Sequence, residues 1–140
     1  MSRLFAFVAL VALVAVFASV VGTTPTAAKE GVVARVLTPI PRNSQPGTKL
    51  RVVWTLSSVE DGKRRPFGAG GVFIRLFGPD GARSPRVYAS ELELGRYRAQ
   101  VRVPRGGVRR IVIGLMGTVC DQSGCRPSPK LFPIVGNVFR

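Results

Sequence analysis

Cys120 and Cys125 bracket Asp121-Gln122-Ser123-Gly124 and are the only thiols in the chain. Four turn-forming residues can bring two Cβ atoms to bridging distance, so in an oxidising compartment the pair is expected to close a disulfide across a hairpin. The alternative chemistry is a redox pair or two thiolate ligands of a metal. Against it, the spacing is not Cys-x-x-Cys and no further ligand stands close in sequence. The chain contains no His, which removes the imidazole base of Ser or Cys nucleophiles and the commonest zinc and copper ligand. Asp61, Asp80 and Asp121 fall in separate turns, so neither a paired-carboxylate hydrolase nor a calcium loop is indicated. Lys29, Lys49, Lys63 and Lys130 stand beside no defined nucleophile. No catalytic residue, metal site or cofactor is assigned, and the chain reads as non-enzymatic.

Binding chemistry is better represented. Lys and Arg number 21 against 7 Asp and Glu, a net charge of +14. Arg96, Arg98 and Arg102 recur at even spacing among Tyr97, Ala99, Val101 and Val103, which places the arginines on one face of a strand and the apolar residues on the other. Arg51 and Arg75 are candidates to join that row across neighbouring strands. Like charges side by side on a sheet repel, so the row either awaits an anionic polymer or membrane surface, or is solvated and paired locally with Glu91 and Glu93. Phe73, Arg75 and Phe77 share one face of another strand. Such a row can stack on a partner, or pack as core. The RNA-binding signature is not matched and nucleic acid is not an expected partner. Lys63-Arg64-Arg65 and Arg109-Arg110 read as solvated basic loops.

These side chains need strands to hold them. Hydrophobic residues make up 46% of the chain and mean hydropathy is +0.23, which argues against a disordered basic tail. No window sustains a helical period after Glu30. Alternation is clearest over residues 96–103 and 50–57, where Leu50, Val52, Trp54 and Leu56 face one way. Residues 72–77 and 111–116 are more continuously apolar and read as covered strands. Weaker candidates are 31–37, 86–94 and 131–139, the last placed at an edge because Pro133 cannot donate to a ladder. Turn signals separate them at Gln45-Pro46-Gly47, Glu60-Asp61-Gly62, Pro79-Asp80-Gly81 and Arg105-Gly106-Gly107. The expectation is an all-β sandwich of about seven strands with Trp54 and Tyr97 in its core. Its last strand offers a second mode of action, in which an envelope protein pairs with the edge between Leu131 and Phe139 or packs on Phe73 and Phe77.

At the amino terminus, Arg3 precedes an apolar run from Leu4 to Val21, and no charge follows until Lys29. Gly22 and Pro25 end the run, and Thr26-Ala27-Ala28 supplies the small residues of a cleavage site. Residues 1–28 are read as a signal peptide cut after Ala28, or as an uncleaved membrane anchor. Residues 29–140 then form one extracytoplasmic domain, secreted or tethered.

Pro46-Gly47-Thr48-Lys49-Leu50-Arg51-Val52-Val53-Trp54 resembles the turn and second strand of immunoglobulin-like domains, and Glu93-Leu94-Gly95-Arg96-Tyr97-Arg98-Ala99 resembles their tyrosine-corner strand. With Asp61-Gly62 and Val72 to Gly81 between them, the stretch from Gly31 to Gly117 is similar to exported bacterial YtkA-like modules. The resemblance implies an immunoglobulin-like β-sandwich. The chain departs from the antibody pattern, because Ala99 stands where those domains place an inter-sheet Cys and Trp54 lies on the second candidate strand instead of the third. Some such modules sit beside metal-handling proteins, but Met116 within an apolar run and the missing His leave no ligand set for that role. The expected function is that of an exported binding or structural module of the cell envelope.

Overall fold

Alternation of apolar and polar side chains sorts most of this chain into two layers. The computed structural model describes residues 31–140, so the segment read as a signal peptide or anchor lies outside the described residues. The strands are β1 (Val33–Val36), β2 (Lys49–Glu60), β3 (Lys63–Pro66), β4 (Val72–Phe77), β5 (Val87–Tyr88), β6 (Ser90–Glu93), β7 (Arg96–Arg102), β8 (Arg110–Asp121) and β9 (Gly124–Leu131). They form two antiparallel sheets. The first has the order β1-β2-β7-β6 with β3 paired to the far end of β2, and the second has the order β5-β4-β8-β9.

The core lies between the sheets and is filled by the in-phase residues. Val52, Trp54 and Leu56 of β2 and Tyr97, Ala99 and Val101 of β7 meet Val72, Ile74 and Leu76 of β4 and Ile111 and Ile113 of β8. Trp54 and Tyr97 stand opposite each other in register and stack with centroids 6.1 Å apart. Both are buried, as expected. The Trp54 Nε1 finds no acceptor among the described residues, and the ring is packed within the core.

Turn chemistry accounts for several joins. Glu60 pairs with Lys63, and between them Asp61 (φ 50°) and Gly62 (φ 72°) both adopt positive φ. That is the two-residue type I′ hairpin, whose twist suits flanking strands. It converts Lys63-Arg64-Arg65, expected as a loop, into an exposed strand.

Two other expectations change. Residues 86–94 are not one strand: β5 pairs with β4 in the second sheet and β6 pairs with β7 in the first, so the chain crosses between layers at Ala89. A bulge between Glu91 and Glu93 interrupts the β6 register. Residues 131–139 are not a regular strand either. The last strand ends at Leu131, and beyond it single parallel bridges join Ile134 to Ala34 and Phe139 to Ile40. Pro133 contributes its carbonyl to Ala34 N–H at 2.8 Å, the one backbone role open to a residue without a donor. The tail therefore covers the edge of β1.

Candidate functional site

The outward face of the first sheet carries the predicted arginine row. On β7, Arg96, Arg98 and Arg102 are exposed while Tyr97, Ala99 and Val101 are buried. Register brings Lys49 opposite Arg102, Arg51 opposite Gln100, Val53 opposite Arg98, and Thr55 opposite Arg96. Arg51 thus sits diagonally between Arg98 and Arg102. Arg35 of β1 lies opposite Thr55 and completes a row with Arg96. Arg75 does not belong to this face, because β4 is in the other sheet.

Little negative charge balances these groups. Glu93 pairs with Arg96 at 3.0 Å. Glu91 instead accepts the Gly95 N–H at 3.0 Å and faces the Tyr97 hydroxyl. The Arg102 guanidinium donates to the Gly47 carbonyl at 3.1 Å. Neither Arg51 nor Arg98 has a carboxylate partner among the described residues.

At the β3 end the face deepens into a cleft of about 600 Å³ lined by Arg35, Arg64, Arg65 and Arg96 together with Glu93 and Leu94. Arg65 lies 3.9 Å from Glu60 at its rim. Arg35, Arg64 and Arg65 were not singled out for this face from the sequence. The Asp-Gly turn was the signal that would have folded Arg64 and Arg65 back beside β2.

Tyr97 anchors the same region from below. Its hydroxyl accepts the Ala69 N–H at 2.7 Å and donates to the Ala69 carbonyl at 3.2 Å. Burial pushes the phenol pKa up and the nearby Glu91 carboxylate adds to the rise, against the lowering effect of the Ala69 hydrogen bond.

The outward face of the second sheet is built differently. Val72, Ile74 and Leu76 enter the inter-sheet core, so Phe73, Arg75 and Phe77 point away from it. Phe73 is nevertheless only 2% exposed. Its ring lies over Gly114, where an added Cβ would come within 2.9 Å of Phe73 Cζ. Tyr88 packs edge-on at 6.4 Å, and the Arg86 guanidinium lies 4.6 Å above the ring. Arg110 covers Phe77 in the same manner at 4.4 Å. The Arg75 Nε and Arg86 Nε are buried and have no hydrogen-bond partner among the described residues.

Cys120 and Cys125 are directly paired across β8 and β9 and are joined as a disulfide with Cα atoms 4.0 Å apart. The β8–β9 hairpin runs past the last residue of β8 paired to β4, Leu115, so the bond staples a two-stranded arm. At its tip Asp121 accepts the Ser123 N–H at 2.9 Å and pairs with Arg126. The Ser123 hydrogen bonds, chiefly, hold the Asp121 pKa below the ordinary carboxylate range. Among the described residues no three His, Cys, Asp or Glu side chains gather to hold a metal ion. Comparison with protein-family models, curated proteins and solved structures finds no match to this chain.

Proposed function

We propose that this chain is an exported, non-enzymatic binding module of the cell envelope, built on an immunoglobulin-like sandwich. In this reading its first sheet presents Arg51, Arg96, Arg98 and Arg102 to an anionic polymer or membrane surface. The strand order supports the fold assignment. With β1, β2, β7 and β6 taken as A, B, E and D, and β4, β8 and β9 as C, F and G, the two sheets follow the constant-type arrangement, β5 adding a short ribbon beside C. Tyr97 then stands on E, whereas a corner tyrosine stands on F, so the support comes from topology and not from that residue. The YtkA-like kinship is part of the same proposal and rests on Gly95-Arg96-Tyr97 opening β7.

The observation that carries the functional reading is a rigid face on which Arg51 and Arg98 have no carboxylate partner among the described residues and Glu93 is engaged by Arg96. Strands fix the spacing of these cations, and their fields add instead of relaxing apart. The edge-strand alternative has less support. The tail that was to offer the edge is bonded along β1. On β9, Phe132 N–H bonds Ile113 O, which makes Leu131, Pro129 and Pro127 the non-hydrogen-bonded positions opposite β8. Their backbone groups point outward, and Pro127 and Pro129 remove the donors a visiting strand would need.

The test is co-sedimentation with phosphatidylglycerol vesicles and with anionic wall fragments over a salt series. Binding is expected to fall steeply as salt rises, and the triple variant R51E/R98E/R102E to lose affinity by about tenfold or more. Binding that ignores both salt and charge reversal would overturn the reading.

A further inference from the structure

The second sheet carries a surface of another kind, independent of the arginine row. The Arg86 and Arg110 guanidiniums lie over the rings of Phe73 and Phe77, and Arg75 occupies the position between those two rings on β4. Arg86 Nη1 also contacts Met116 Sδ at 3.0 Å. The Arg86 and Arg110 guanidiniums are therefore placed before anything binds, and less side-chain freedom remains to be lost on binding. Yet Arg75 Nε and Arg86 Nε are withdrawn from solvent without an acceptor. Those enclosed atoms cannot meet a visiting molecule, but no carboxylate among the described residues pairs with Arg75, Arg86 or Arg110, so the guanidinium ends keep an uncompensated charge.

No compensating carboxylate comes from the described residues of this face. The rows of this face run Tyr88, Phe73, Gly114 and Leu131, then Arg75 and Val112, then Phe77 and Arg110, with no carboxylate among them. The acidic residue of these strands, Asp121, is at the hairpin tip and already bound to Ser123 and Arg126. Tyr88 and Leu131 remain 56% and 58% exposed beside the stacked pairs. Phe, Tyr, Met and Arg without Asp, Glu or Lys is the composition that distinguishes the centres of protein interfaces from ordinary surface. A second copy meeting this face to face would set arginines against arginines. With 7 acidic residues in 140, the chain has few carboxylates to offer itself in any other orientation.

We propose that the outward face of the β5-β4-β8-β9 sheet is a docking surface for a protein partner that presents carboxylates among apolar side chains, the carboxylates accepting from the Nη–H ends of the Arg75 and Arg86 guanidiniums. Planar guanidinium against carboxylate is the geometry in which two parallel hydrogen bonds form, and Tyr88 and Leu131 flank it as apolar contacts.

The probe is a fluorescently labelled glutamate–tyrosine copolymer, titrated with the full chain and read by anisotropy. R75K/R86K/R110K keeps the net charge but removes the planar forks, and it is expected to weaken binding by about tenfold. Every chain titrated also carries R51Q/R98Q/R102Q, so that the first sheet's attraction for an anionic polymer does not contribute, and R105K/R109K/R140K, at exposed positions outside the strands of both faces, is expected to change binding less than about twofold. Thermal melting checks that R75K/R86K/R110K folds. If it does not, Y88E/L131E substitutes two exposed positions and is expected to cause the same loss by supplying carboxylates in cis. Absence of copolymer binding by the chain carrying R51Q/R98Q/R102Q alone would overturn the proposal. So would equal loss in both triple-lysine variants, retention in R75K/R86K/R110K, or displacement by single-stranded oligonucleotide at matched charge.

Discussion

The outward faces of the two sheets are both cationic, yet they are assembled by opposite rules. On the first sheet Arg51, Arg98 and Arg102 stand out from alternating strands opposite Gln100, Val53 and Lys49, and their charges are screened by water. On the second, Arg86 and Arg110 are laid on phenylalanine rings and Phe73 is buried although it lies outside the inter-sheet core. A solvated guanidinium contributes through long-range field, and a stacked one through shape and a directed donor. The first face should therefore be tolerant to single substitutions and sensitive to salt. The second should be the reverse.

The largest effect is expected from Phe73→Ala, which removes the ring beneath Arg86 and opens the space above Gly114. Loss of a buried phenylalanine should cost about 3 kcal/mol in urea unfolding, whereas Arg98→Ala on the exposed face should stay within about 0.5 kcal/mol. Equal costs would erase the distinction between the faces. A smaller effect follows at the seam below the first sheet. Tyr97→Phe loses both hydrogen bonds to Ala69 and should destabilise the fold by about 1 kcal/mol.

The same substitution sharpens the comparison through pH. Because the folded phenol pKa is raised, the unfolded phenol ionises first, at about pH 10. The associated stability is whole below that pH and is lost as pH climbs toward the folded value. The wild-type chain should lose stability in alkali more steeply than Tyr97→Phe, measured by urea midpoints across that range.

The smallest effect lies on the arm. The Asp121 pKa is lowered in the fold, so its contribution is present above the unfolded value and is lost as pH falls through the folded one. Asp121→Asn should flatten this acid dependence at the hairpin tip, read by amide exchange of Ser123, with the sandwich unaffected.

Period-two patterning made much of this architecture legible before any coordinates. The alternation over residues 96–103 placed Arg96, Arg98 and Arg102 outside and Tyr97 inside, as β7 does. Asp61-Gly62 and Asp80-Gly81 marked positive-φ turns that the backbone adopts, and Cys120 with Cys125 marked a bridged hairpin. Patterning was weakest where a segment pairs with different neighbours at its two ends. Residues 86–94 read as one strand because nothing local states that Tyr88 belongs to one sheet and Ser90 to the other. Residues 131–139 read as a strand because apolar content does not tell a ladder from a tail held by single bridges.

What the amino-acid order determined alone is the strongly patterned strands β2, β4, β7 and β8, their inward residues and the excess of arginine, since these follow from side-chain period within a few residues. Which cations become neighbours was decided by pairing between distant segments. Arg35, Arg64 and Arg65 reach the cleft beside Arg96 through antiparallel register, and Arg75 was carried to the opposite layer by the strand order. A face is a property of adjacent strands, and adjacency is set by burial of the common core, which no single segment contains.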